Sequence, residues 1–503
     1  MNFKLKNIII GFAAASSFLF SSCSRKDTVD LIPEFNYDAI TNPSSMDQVA
    51  QVLLGAYAGF RSNDYYRTVN TSGPWSVLPD MMADDLAETT ENLPQDRAMT
   101  DWNYFPGTDR IQPLFNAAYV IIARTNIVLR DVDKFTTGLN TKLANRVKGQ
   151  ALAIRAHCHF DLLRYFGTSF DRNSTTDLAL PYVTEFNFSA SAKPARANNK
   201  DYYDKILADL ASAATLLADI DRPINGSGNS RAFMDLAAIQ AIQARVNLYA
   251  GQWAAAITAA SAAITARPLV TIANAADYRG MYNETSAGEI IWNVQFDAGQ
   301  GGPGGSLYFK PGNRNSFRPA DAIANLSGTS GLIRNSDIRY AAFFEAVNNS
   351  GNVPRLTIKK YNGKGSQSDL VCNFPVYRTG EMYLIRAEAY AKSSQEALAM
   401  ADLNFLRRNR INGYADEALT GATLLTAIAD ERRRELVAEG HRFFDLKRLG
   451  SSVRNINRGP NCGNNAIQPA GKCILAGTAR EWSLPIPLNE MNTNPNMVQN
   501  PNY

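Results

Sequence analysis

The chain has 503 residues, of which 45% are hydrophobic, 19% charged and 10% aromatic, the balance of a globular protein that can bury a sizeable core. Its 51 Lys and Arg against 47 Asp and Glu leave a net charge of +4. Those charges are spread along the chain and form no basic stripe, which argues against nucleic acid as a partner.

Lys4 and Lys6 precede an apolar run from Ile8 to Phe20, closed by Ser21 and Ser22 before Cys23. The run is too short to settle across about 30 Å of hydrocarbon, and its basic start and small-residue end mark a secretion signal over residues 1–22. Cys23 after the small residues resembles a bacterial lipobox, with Phe20 where Leu is more usual. Acylation there makes a covalent lipid the protein's attachment to the membrane; the plainer alternative is an ordinary secretion signal with Cys23 as a leftover thiol. No second apolar segment of spanning length follows, so the expectation is anchoring without crossing. Residues 23–44 then read as a lipidated tether ending near Pro43, and 45–503 as a single domain.

Within that domain residues 45–270 read as helical. Ser45 and Gln48 stand at capping-box spacing, followed by Met46, Val49, Leu53, Ala56, Tyr57 and Phe60 at three- and four-residue steps. Further helices are expected over about 110–132, over the stretch from Leu143 to Tyr165 with Gly167 as its cap, and over about 200–218, 231–250 and 253–266, with Pro268 as a stop. Ala244 to Ile257 and Ala387 to Leu398 look like copies of one helical hairpin, with small residues and a Tyr before a short turn and an Ala-rich second helix. Small side chains let antiparallel helices approach closely, the packing of tetratricopeptide-like repeats. The fold class expected is mostly α, a tetratricopeptide-like helical-hairpin scaffold over 45–270 and 376–450, of a kind that binds more often than it catalyses.

Residues 271–375 change character to a loop-rich insertion with a few short strands, such as Ile290 to Val294 and Leu356 to Ile358. Gly299 to Gly305 lacks the Lys-Ser/Thr pair of a phosphate loop, and Pro303 interrupts it. Aromatic faces on loops carried by a rigid body suit capture of sugars or peptides, because a flat apolar ring covers C–H surface while polar neighbours take hydroxyls. The candidate stacking residues are Tyr65, Trp75, Trp102 and Tyr308, with Asn103 and Arg314 as hydrogen-bonding partners, on a surface formed by residues 62–105 and 292–320.

Glu431, Glu435 and Glu439 are four apart and fall on one expected helical face, and Arg432, Arg442 and Arg448 can reach them or the neighbouring helices. That pattern reads as an ion-pair network and not as catalytic machinery, because glycosidases need two carboxylates facing across a cleft. His157 and His159 point to nearly opposite sides of a helix and cannot chelate one metal, and His441 lies alone. The nearest approach to a cation site is Asp171-x-Asn173 with Asp177, a calcium-loop pattern without its Gly and distal Glu. In the loop-rich tail, 451–503, Cys462 and Cys473 are close enough to close a surface loop as a disulfide in an exported protein.

Tyr383 to Tyr390, Asp402 to Asn404 with Arg407 and Arg408, and Glu431 to Arg448 resemble, in order and spacing, the signature segments of the SusD/RagB family. The tail Leu484 to Pro487, with Glu490, Asn494 and Gln499 to Pro501, is similar to the family's ending; Arg155 to Gly167 and Asp84-Asp85 also match. The resemblance implies an outer-membrane, lipid-anchored, outward-facing receptor without enzymatic activity. It implies capture of an oligosaccharide, or in some branches a peptide, for a SusC-like TonB-dependent transporter, with no cofactor beyond the lipid. Two alternatives belong to other classes: a surface glycan hydrolase, separated by a facing carboxylate pair in an aromatic cleft, and a repeat scaffold binding proteins only.

Overall fold

Ser45 stands in extended backbone and its hydroxyl accepts the Gln48 amide at 3.3 Å, which starts helix α1, Met46–Gly59. The buried Met46, Val49, Val52, Leu53 and Ala56 give it one apolar face. The structure, a computed structural model, describes residues 41–503 except 68–72, 92–95, 188, 190, 221–223, 226–229, 298–299, 301, 303–315, 349–351, 365–370 and 464–471. Cys23 therefore lies outside the described residues. Ser45–Tyr503 forms one compact unit. Among the described residues no helix is long and apolar enough to cross a membrane.

The chain continues through α2 (Leu78–Met81), β1 (Leu86–Glu88), α3 (Arg97–Thr100), α4 (Ile111–Asp131), α5 (Thr141–Phe166), α6 (Asn199–Leu217), α7 (Leu236–Tyr249) and α8 (Trp253–Ala266). Consecutive helices pack as antiparallel neighbours, α4 on α5, α5 on α6 and α7 on α8, and α1 lies on α4. After α9 (Ala275–Gly280) come β2 (Ile290–Val294), β3 (Phe317–Pro319), α10 (Ile338–Phe343), β4 (Phe344–Asn348), β5 (Pro354–Ile358) and β6 (Phe374–Arg378). The chain then forms α11 (Thr379–Lys392), α12 (Glu396–Arg408), α13 (Gly421–Leu436), α14 (Arg442–Lys447), β7 (Ile456–Asn457), β8 (Ile474–Leu475) and α15 (Leu488–Thr493). The strands pair antiparallel in twos: β1 with β3, β2 with β6, β4 with β5 and β7 with β8.

The two repeat-like hairpins are α7–α8 and α11–α12, and α8 packs against α11, so they stack. Ala256, Ala260 and Ala263 on α8 are buried, and Ala387 on α11 is buried in the cluster with Ala399 and Leu403 of α12, so small residues permit the close approach within the stack. Each turn needs one left-handed residue, Gly251 at φ +66° in the first and Ser394 at φ +60° in the second. The mostly helical, tetratricopeptide-like architecture read from the sequence is the one observed.

Helix α5 is buried without interruption from Gly149 to Phe166, so its polar residues must find partners inside the protein. Arg155 donates twice to Asp209 of α6, at 2.7 Å each, and Lys447 of α14 donates to the carbonyls of Arg164, Tyr165 and Gly167 at 2.8, 3.2 and 2.8 Å, satisfying the helix end.

The carboxylates of the charged C-terminal segment are interior. Glu435 is fully buried, accepts from Arg339 at 2.7 Å and from Tyr278 at 2.8 Å, and pairs with Arg378 and Arg410. Arg410 also pairs with Glu289 at 2.8 Å, and Arg378 with Glu289 at 2.7 Å and with Glu439 at 2.8 Å. Of the two reaches open to the arginines of the segment, the neighbouring elements are the ones taken: Arg432 turns to Asp445, Arg442 to Asp84 and Arg448 to Glu388, while Glu431 pairs with Arg434 of the same helix and with Arg407. One feature differs from the sequence reading. Glu439 lies beyond the end of α13 at Leu436, past Ala438 at φ +62°, and meets the cluster through Arg378, Lys360 and the Tyr282 hydroxyl. Burial opposes ionisation here, but Arg410, Arg378 and Arg339 outweigh it and hold Glu435 well below the usual carboxylate range.

Candidate functional site

Three of the aromatic residues expected to stack on a ligand are core residues. Tyr65, Trp75 and Trp102 are 0%, 2% and 0% exposed. Tyr65 stacks on Trp75 with ring centres 4.2 Å apart and donates its hydroxyl to Asp161 of α5 at 2.7 Å; its neighbour Tyr66 shares a 2.9 Å hydrogen bond with His157. Trp102 donates Nε1 to the Met82 carbonyl at 2.9 Å and carries the Arg458 guanidinium over its ring at 4.1 Å. These rings fasten the 62–105 segment to α5 and to the β7–β8 hairpin, and their faces are spent on that packing. Asn103 is exposed. Tyr308 and Arg314 lie outside the described residues. Cys462 and Cys473 are joined in a disulfide on the β7–β8 connection. Asp171 accepts the Asn173 amide at 2.9 Å and Asp177 accepts the Ser169 hydroxyl at 2.5 Å, so these carboxylates shape a turn. No group of three or more metal-ligating side chains occurs among the described residues.

All three histidines are buried, and burial lowers His157 to about 4 and His159 to about 3, from an ordinary value near 6.5. The unfolded chain takes up protons at these sites that the folded protein refuses. Their contribution to stability is therefore complete above about pH 6.5 and is lost as pH falls toward the folded values. At pH 5 each of the two is expected to cost about 2 kcal/mol relative to pH 7. Urea unfolding at the two pH values checks this: His159→Gln should flatten the difference, and an unaltered slope would refute the assignment.

An open recess of about 280 Å³ lies where the end of α1, residues 232–233 before α7, and strand β2 meet. Phe233 meets Tyr57 edge to face at 5.2 Å, and the Tyr57 hydroxyl accepts the Met234 amide at 3.0 Å, which fixes both rings. Leu54, 43% exposed, extends this apolar wall. Trp292 forms the floor, held by Nε1 donating to the Ala232 carbonyl at 3.0 Å. The rim is polar: Arg61 reaches Asp297 and Gln300 at 3.5 Å, and Gln295 donates to Ser230 at 2.8 Å. Asn293, also in the lining, is buried, and its Oδ1 has no hydrogen-bond partner among the described residues. The lining contains no Asp or Glu among the described residues, hence no carboxylate pair to act as acid and base there.

The arrangement suits a ligand with an apolar face and several hydroxyls. Sequence reasoning placed Tyr57 and Phe60 on the α1 core face and assigned no role to Phe233. The only signal for this recess was a large aromatic placed directly before a helix start, at Asp235, whose side chain accepts the Ala238 amide at 3.1 Å.

Two family models match the chain, one described as the SusD family over residues 325–503, the other as starch-binding associating with outer membrane over residues 36–238. A SusD-like protein of Formosa agariphila is 24% identical over 99% of this chain and 98% of its own length. A second SusD-like protein of that organism is 23% identical over 90% and 93%. Among solved structures, a putative sugar binding protein from Bacteroides vulgatus aligns with a TM-score of 0.77 at 26% identity, covering 91% of this chain and 99% of that one. A SusD superfamily protein from Bacteroides thetaiotaomicron aligns with a TM-score of 0.77 at 24% identity, covering 91% and 100%, a likeness of fold.

Proposed function

This chain belongs to the SusD family, and from that premise we propose that it is a carbohydrate-binding receptor at the bacterial outer membrane, which captures a glycan and passes it to a SusC-like TonB-dependent transporter. The observation that carries the binding half is the recess at the end of α1, where Tyr57, Phe233 and Leu54 offer an apolar wall beside the polar Arg61, Gln295 and Asn293. A sugar ring has the matching surfaces: its C–H face covers aromatic carbon while its hydroxyls exchange water for amide and guanidinium partners. The sugar-binding description of the Bacteroides vulgatus neighbour and the starch-binding, outer-membrane description of the second family model support the ligand class and location. Acylation of Cys23 supplies attachment in this reading, and a transporter supplies the energised step. Asn103, exposed on the 62–105 segment, remains a proposed polar contact.

The test is titration of the soluble mature chain with a panel of oligosaccharides, starch-derived ones included, and a panel of peptides, with product release monitored in parallel. Saturable glycan binding without turnover is expected, and Phe233→Ala should weaken it about tenfold, roughly 1.4 kcal/mol, while the unfolding midpoint stays near that of the parent. Hydrolysis products from highly purified protein, or a Phe233→Ala variant with unchanged affinity, would defeat the assignment.

A further inference from the structure

The opposite end of α7 bounds a second recess that the reading above does not use. Helix α7 has 14 residues, so the two recesses are separated along it by roughly 20 Å. This second recess has a volume of about 510 Å³ and lies between the α7–α8 turn, the segment after α5, and the residues that follow α14. Its walls are aromatic, with Tyr249, Phe170 and the half-buried Trp253. Phe160 and Phe170 hold the Tyr249 ring edge to face at 5.2 and 5.1 Å. Tyr249 is 5% exposed, and its hydroxyl has no hydrogen-bond partner among the described residues.

The charge of this lining is one-sided. Arg172, Lys447, Arg448 and Arg454 stand against Asp171 as the only carboxylate among the lining residues. Lys447 is consumed by the three carbonyls at the end of α5, Arg172 pairs with Asp204, and Arg448 pairs with Glu388 and Asp445. Arg454 is different: it donates to the carbonyls of Gly477 at 2.7 Å and Lys447 at 3.4 Å, and no carboxylate lies within ion-pair distance among the described residues. A half-buried guanidinium that lies over the Trp482 ring at 5.0 Å and has no counter-ion, in a recess walled by aromatic rings, calls for an anion carried on a body with an apolar face.

We propose that this recess binds a carboxylated sugar, with the carboxylate on Arg454 and the ring against Trp253. The sugar part of the ligand rests on the carbohydrate-binding reading, whereas the acidic preference rests on Arg454 alone. The exposed Ser451 on the rim adds a hydroxyl.

Glucuronate, glucose and acetate, titrated separately into the soluble mature chain and followed by calorimetry and saturation-transfer NMR, test it. Glucuronate should bind at least tenfold more tightly than either glucose or acetate, and more weakly as salt is raised. Arg454→Gln should remove at least tenfold of the glucuronate affinity. Because Arg454 also holds two carbonyls, Ser451→Asp provides a second arm: it puts a negative charge on the exposed rim and should abolish glucuronate binding without lowering the melting temperature. Phe233→Ala should leave glucuronate binding unchanged, so failure of the first recess and failure of this one are distinguishable. Equal affinity for glucuronate and glucose, full affinity in Ser451→Asp, or displacement of glucuronate by an acidic peptide at lower concentration than by a uronic-acid oligosaccharide would overturn the proposal.

Discussion

Glu435→Gln is expected to bring the protein close to unfolding under ordinary conditions. Gln keeps the shape of the side chain but removes the negative charge on which Arg339, Arg378 and Arg410 converge, and all four side chains are essentially without solvent contact. Removing one partner from a buried ionic cluster leaves the remaining charges desolvated and unbalanced, which costs about 3–5 kcal/mol. A folded domain has only about 5–15 kcal/mol in hand. Chemical denaturation at pH 7 reads the loss directly as a lower midpoint. Arg410→Met added to Glu435→Gln should recover part of it, because one cation has then been withdrawn together with the anion. A midpoint equal to that of the parent would show that the cluster is structurally idle.

Cys23→Ala should release the protein from the membrane altogether. Each methylene of an acyl chain contributes about 0.8 kcal/mol of membrane binding, and two chains hold stably where one does not. The variant retains the basic start and apolar run of the leader, so export should continue through the general route while anchoring is lost. Cell fractionation and labelling with a radioactive fatty acid check both halves: the parent should carry label and sediment with membranes, and the variant should do neither. Parent protein that carries no label and stays in the soluble fraction would sink the proposal of a lipid anchor.

The helical scaffold was legible because its signals are local. Ser45 with Gln48 marked a cap that the structure contains, and the alternation of small residues around Gly251 and Ser394 marked two hairpins that do stack. The strands Ile290–Val294 and Pro354–Ile358 were visible as short apolar runs between turn-rich stretches. The ligand surface was far less legible, and Tyr65 and Trp75 show why. Both sit in a stretch without helical period, which suggests a surface loop, yet the loop folds inward and its rings fill the space over α5. A clue was available on the other side of that contact. His157, Asp161 and Arg164 lie on a helix flanked by apolar positions throughout, and a buried polar stripe needs donors and acceptors from somewhere. Tyr65 and Tyr66 are those partners, so the rings taken as ligand platforms were the answer to a demand written into another helix. Phe233 is the reverse case: it falls inside the helix expected over about 231–250, but α7 starts at Leu236, and the meeting of α1 with β2 turns the ring into a wall of the recess.

The ionic cluster also bears on when this fold can form. Its cations Arg339, Lys360, Arg378 and Arg410 meet two earlier carboxylates, Glu289 and Asp337, and three later ones, Glu431, Glu435 and Glu439, which follow all of them in the chain. Until those last carboxylates arrive, the four cations face only the two earlier counter-charges and gain little by leaving water. Premature closure of a nascent chain is thereby disfavoured, which, in the exported-receptor reading proposed above, keeps the polypeptide open until it has crossed a secretion pore.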